Sequence, residues 1–147
     1  MTNMLELTLT LNQDKYAPGE PINSLVRLRN AGSEAVKVNG RLAINTPYAP
    51  EEMRDIAFAV SDPSGAVVDF QLKVNVGAPA DNEFKTLQPG EVIEQSYNLA
   101  RYYDLKRPGT YSVKAAYQNQ SEPGMPPGTS VWKGEVKSAE ARFAVQR

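Results

Sequence analysis

A proline-glycine pair set just ahead of an alternating apolar run occurs three times in this chain and constrains its architecture more than any other feature. The phrases are Ala17-Pro18-Gly19-Glu20 before residues 22–28, Gln88-Pro89-Gly90-Glu91 before residues 92–99, and Arg107-Pro108-Gly109-Thr110 before residues 111–117. Proline presets φ at the first central position of a turn and glycine accepts a positive φ at the second. Each phrase therefore predicts a reversal that launches a strand.

Between the turns the apolar residues recur with period two. Leu5, Leu7, Leu9 and Leu11 share one face of a strand whose other face carries Glu6, Thr8 and Thr10, a half-buried pattern. Residues 22–30 turn Ile22, Val26 and Leu28 inward. The run 36–44 is interrupted by Asn39-Gly40, where a bulge or tight turn is expected before Leu42 and Ile44 resume the pattern. Ile56, Phe58 and Val60 lead into Asp62-Pro63-Ser64-Gly65, a hairpin signal.

Residues 66–76 are apolar at every even position, Ala66 through Val76. At strand rise they would span about 36 Å, twice the usual length, so a strand that bends or changes sheet midway is expected. Ile93, Tyr97 and Leu99, then Tyr111, Val113, Ala115 and Tyr117, then Ala139, Ala141, Phe143 and Val145 complete the pattern. Gly109-Thr110-Tyr111-Ser112-Val113 has the spacing of a tyrosine corner, in which the ring packs inward and the hydroxyl bonds backbone across the connection.

These runs predict one domain over residues 1–147: an all-β, immunoglobulin-like Greek-key antiparallel β-sandwich of seven to nine strands, without a helix of consequence. Its expected core contains Leu7, Leu9, Val26, Leu28, Phe58, Val60, Phe70, Tyr111, Val113 and Phe143. A chain of this length buries roughly 70% of the surface it exposes when unfolded, enough for a core without disulfides or metal.

Composition works by subtraction. With no histidine and no cysteine, serine-histidine and cysteine-histidine nucleophile systems, disulfides and the usual zinc sites are all excluded. No cofactor is expected, and the chain is read as a non-enzyme. Sixteen basic against seventeen acidic residues give a net charge of −1, so no global field attracts nucleic acid or anionic lipid. The opening Met1-Thr2-Asn3-Met4 carries no basic flank or apolar leader, and no apolar run is long enough to cross a bilayer. Taken as full length the chain is expected in the cytoplasm; as a piece of a longer chain it would be secreted.

The order of motifs resembles a known pattern. Lys15-Tyr16-Ala17-Pro18-Gly19-Glu20-Pro21, Leu28-Arg29-Asn30-Ala31-Gly32, Phe58 to Gly65, Leu87-Gln88-Pro89-Gly90-Glu91 and Pro108-Gly109-Thr110-Tyr111 are similar to the BsuPI-type intracellular proteinase inhibitor domain. The same landmarks, with Tyr103-Asp104-Leu105 and Trp132 to Ser138, also resemble the amino-terminal β-sandwich that precedes the catalytic domain of deuterolysin-like lysine-specific metallopeptidases. The resemblance covers residues 5–145 and implies an accessory or inhibitory module. It carries over no peptidase activity, because the zinc-binding histidines have no counterpart here.

Among local candidates, Glu51-Glu52 with Asp55, and Asp81 with Glu83, lack the ligand spacing of a calcium loop and are read as solvated loop charge. Tyr97, Tyr102, Tyr103, Tyr111 and Tyr117 are read as core, with Trp132 as the aromatic available for contact. The proline-rich loop 119–130 is the expected site of partner contact, since binding residues concentrate on loops held by rigid scaffolds. Met125, Pro126, Pro127, Trp132 and Lys133 are its candidate partner-binding residues. The expected function is thus a non-catalytic module that binds a protein partner, neither nucleic acid nor membrane. The alternative is a structural sandwich that packs against neighbouring domains or subunits.

Overall fold

The computed structural model describes residues 4–50, 53–71, 77–124 and 130–147. Ten strands organise them: β1 (Leu5–Leu11), β2 (Lys15–Tyr16), β3 (Asn23–Asn30), β4 (Val36–Asn39), β5 (Ile56–Ser61), β6 (Phe84–Leu87), β7 (Val92–Asn98), β8 (Gly109–Asn119), β9 (Gly134–Lys137) and β10 (Ala141–Val145). The result is an all-β sandwich. One sheet runs β1-β3-β7 and the other β2-β10-β8-β5, with β9 also paired to β8, while β4 and β6 form a separate two-stranded sheet.

The strand count exceeds the expected seven to nine because β2 is only two residues long and carries no readable period. It also breaks the antiparallel expectation, for β2 pairs parallel to β10, Lys15 opposite Ala144 and Tyr16 opposite Val145. Tyr16 anchors this crossing. Its ring meets Phe143 edge-on at 5.8 Å and its hydroxyl donates to Asn12 Oδ1 at 2.7 Å.

Two of the three proline-glycine phrases are the turns expected, and they are built identically. Glu20 N donates to Ala17 O at 3.0 Å and Glu91 N to Gln88 O at 2.9 Å, with Gly19 at φ +82° and Gly90 at φ +84°. In each the glutamate then reaches back: Glu20 Oε1 accepts from Ala17 N at 2.8 Å and Glu91 Oε1 from Gln88 N at 2.6 Å. The third phrase has threonine where these have glutamate, and it forms no such turn. Gly109 there has φ +137° and already belongs to β8, where Pro63 occupies the space a Cβ would take.

The core follows the alternation. Leu7, Val26, Leu28, Phe58, Val60, Tyr111, Val113 and Phe143 are buried, whereas Leu9 and Phe70 are half-buried and pack on its margin. Tyr111 makes the expected corner, donating from its hydroxyl to Arg107 O at 2.7 Å while its ring stacks on Phe143 at 5.3 Å.

Two runs depart from the continuous alternation of their sequences among the described residues, the first at the expected turn of Asn39-Gly40. Residues 36–44 leave β4 at Asn39, because the Asn39 Oδ1 accepts from Arg41 N at 3.1 Å and folds the backbone into a side-chain-closed turn. Leu42 then adopts φ +53°, and Ile44 makes a single parallel bridge to Ile56. Of the long strand expected over 66–76, residues 72–76 lie outside those described. Within 66–71 only Val67 bridges, to Ser61, and Val67 is 69% exposed. The chain leaves the hairpin because Phe70 stacks on Tyr102 at 5.6 Å and Gln71 N donates to Tyr102 O at 2.7 Å. Aromatic contact there replaces a cross-strand ladder.

Candidate functional site

Among the described residues, the sandwich presents a concavity on the solvent face of the β5-β8-β9 sheet. Inward positions Ile56, Phe58 and Val60 of β5 and Tyr111, Val113, Ala115 and Tyr117 of β8 fill the core. Strict alternation therefore sends Ala57, Ala59 and Ser61, and Ser112, Lys114 and Ala116, to the outer face. Register aligns them in rows: Ala57, Ala116 and Lys137 lie across three strands, as do Ser61, Ser112 and Arg142 through β10.

Most of these side chains are short, so the sheet surface is left low between taller walls. Pro47 and Arg54 close one side, and Glu135, Lys137 and Glu140 the other, around a trough of about 440 Å³. Arg54 is fixed there by an Nη1 bond to Pro47 O at 2.8 Å, while its Nε is buried and has no hydrogen-bond acceptor among the described residues. Sequence reading overlooked this surface. The signal was present in the small outward residues Ala57, Ala59 and Ala116, although the flanking wall from residues 47 and 54 depends on tertiary placement.

A second cluster lies inside the molecule. The Asp55 carboxylate accepts from Arg41 Nε at 2.6 Å and Nη2 at 3.0 Å, from Asn39 Nδ2 at 2.8 Å and from Ala43 N at 3.0 Å. Expected as solvated loop charge, Asp55 is instead buried at 2% exposure, because four donors converge on it and substitute for water. Its neighbours Glu51 and Glu52 lie outside the described residues. Asp81 and Glu83 both accept from backbone, Asp81 Oδ1 from Gly124 N, 43 residues away, at 2.7 Å and Glu83 Oε1 from the nearby Ala80 N at 2.8 Å.

The tyrosines tie this region together. Tyr97 donates its hydroxyl to Leu42 O, Tyr117 to Asn39 O at 2.8 Å and Tyr103 to Phe58 O at 3.1 Å. Burial pushes the Tyr97 and Tyr117 phenols far above their ordinary range, and the negative charge of Asp55 adds to the effect. Burial does the same to Tyr103. These groups are held neutral as hydrogen-bond donors and are poor candidates for proton transfer near neutral pH.

At the pole expected to bind a partner, Met125, Pro126 and Pro127 lie outside the described residues. Trp132 is half-buried: its ring packs on Tyr117 at 5.6 Å and its backbone N donates to Lys37 O at 2.8 Å. Lys133 is exposed, with Nζ 3.3 Å from Glu122 Oε1. Trp132 and Lys133 are neighbours in sequence, and the structure brings neither into the trough. Among the described residues, no three acidic side chains are grouped to hold a metal ion, and no helix is long and apolar enough to cross a membrane.

No family model matches the chain, and no curated protein matches it. Among solved structures it is similar to beta-glucosidase 3B from Thermotoga neapolitana in complex with alpha-D-glucose, at 18% identity and a TM-score of 0.38. The match covers 97% of this chain and 17% of that one, so the chain spans less than a fifth of the length of that structure.

Proposed function

We propose that this chain is a non-catalytic protein-interaction module, of the inhibitory or accessory kind that its resemblance to the proteinase-inhibitor and metallopeptidase-associated sandwiches implies. Its contact surface in this reading is the outer face of the β5-β8-β9 sheet. The observation that carries it is the trough of about 440 Å³, floored by Ala57, Ala59 and Ala116 and walled by charged side chains. A low apolar floor within a polar rim is the anatomy of a protein contact patch. The rigid sheet beneath it means little ordering cost on binding.

The test uses a photo-crosslinking amino acid at Ala59, with Thr8 on the opposite sheet as control. A discrete adduct from position 59 that disappears on Ala116→Arg supports the reading, and its mass distinguishes a foreign partner from a second copy of this chain packing as a structural module. Absence of any adduct specific to position 59 overturns it.

A second reading places contact at the pole of Trp132 and Lys133, with Met125, Pro126 and Pro127. It is favoured by the exposure of Lys133 beside a half-buried tryptophan. Adducts from Lys133 in place of Ala59 would decide for it.

A further inference from the structure

The trough has a charge preference. Arg54 and Lys114 both line it, and neither has a carboxylate partner among the described residues. The two anions on the opposite wall are already engaged: Glu135 lies 3.9 Å from Lys137 Nζ and Glu140 lies 3.8 Å from Arg142 Nη2. The concavity thus has an apolar floor and two cations that form no ion pair among the described residues. Arg54 adds a buried Nε without an acceptor among the described residues, and an unmet buried donor is costly.

The floor also limits how a ligand can lie. β8 is paired on both edges along this stretch, to β5 through residues 112–117 and to β10 and β9 through residues 109–113 and 116–119. No strand can add to it, so recognition at this face must come from side chains. From Ala57 to Ser61 the floor extends for about 14 Å at strand rise, room for four or five residues of extended chain.

We infer that the trough binds an extended peptide segment of a protein partner through a carboxylate side chain flanked by small residues, with Lys114 and Arg54 as its counter-charges. This rests on the interaction reading above and specifies the partner's chemistry. Charge-assisted bonds at a partly enclosed site give the orientation, and the alanine floor admits only short neighbours on either side of the acid.

The test is an amide NMR titration of the full chain with acetyl-Ala-Ala-Glu-Ala-Ala-amide, and with the same peptide carrying glutamine or lysine in place of glutamate. Saturable shifts at Ala57, Ala59, Lys114 and Ala116 are expected with the glutamate peptide at millimolar concentration, and binding of the glutamine peptide should be about tenfold weaker. Lys114→Glu, at an exposed position, should leave the melting temperature unchanged and reverse the preference toward the lysine peptide. If that variant unfolds, Arg54→Gln reads the same loss of glutamate preference.

Equal shifts from the glutamate and glutamine peptides would overturn the carboxylate inference while leaving the trough as an interaction face. No shift in the trough from any of the peptides would also overturn it, and the crosslinking at Ala59 then decides the broader reading independently.

Discussion

Arg41 and Asp55 form a two-pronged ion pair inside the sandwich, Nε to Oδ2 at 2.6 Å and Nη2 to Oδ1 at 3.0 Å, with the aspartate side chain only 1% exposed. Removing one partner of such a pair strands the other charge away from water. Arg41→Met should therefore destabilise the protein by about 3–5 kcal/mol, and Asp55→Asn by less, since the cation it strands is the more exposed partner and keeps its bond to Gly77 O. Urea denaturation midpoints of the two variants check the order. Equal midpoints to the parent would mean that water reaches Asp55.

Tyr111 tests the corner at the start of β8. Its hydroxyl donates to Arg107 O, four residues upstream, while the ring stays buried against Phe143. Tyr111→Phe should cost about 0.5–1.5 kcal/mol, the net worth of one hydrogen bond, with the fold intact by circular dichroism.

Gly109 tests the approach of the β5 hairpin to the same corner. A Cβ added there would lie 2.4 Å from Pro63 Cγ, and its φ of +137° is one that other residues rarely adopt. Gly109→Ala should destabilise by about 1–3 kcal/mol from overpacking alone. Adding Pro63→Gly should recover part of that loss, a non-additivity that thermal melts of the double variant would reveal. Additive losses would place the whole cost in the backbone.

Stability should decline toward both ends of the pH range. Tyr97, Tyr103 and Tyr117 have phenols raised from 10.0 mainly by burial, so above pH 10 the unfolded chain releases protons that the folded chain retains. Stability should then fall as pH rises past 10, and tyrosinate absorbance from these rings should grow in step with loss of structure. At the acid end, Asp62 sits below 3.8, held there first by the Ser64 hydroxyl and then by the Ala66 and Ser64 backbone amides. Its contribution is present above 3.8 and is lost as pH falls through its lowered value. Melting temperatures across both ranges provide the check.

What was legible in the sequence is what short-range stereochemistry controls. The Pro-Gly-Glu turns at Gly19 and Gly90, the hairpin turn closed by Gly65 N to Asp62 O at 2.9 Å, and the inward faces of β1, β3, β5 and β8 each follow from φ preference or from period two. The tyrosine corner is local too, since donor and acceptor are four residues apart.

What only the tertiary structure decided depends on groups far apart in the chain. Leu42 is held at φ +53° because its carbonyl meets Tyr97 across a separation of 55 residues, a contact that no local propensity anticipates. Asp55, read as solvated, is buried because Asn39, Arg41 and Ala43 turn their donors onto it. Val68 and Phe70 alternate like strand residues, yet Phe70 pairs with Tyr102 and Tyr103 rather than with a neighbouring strand. The trough, too, exists because Arg54 and Glu135, 81 positions apart, become walls of one alanine floor. Sequence period fixes which face a side chain takes; the pairing partners of that face are set by the free energy of the assembled sandwich, which no local window contains.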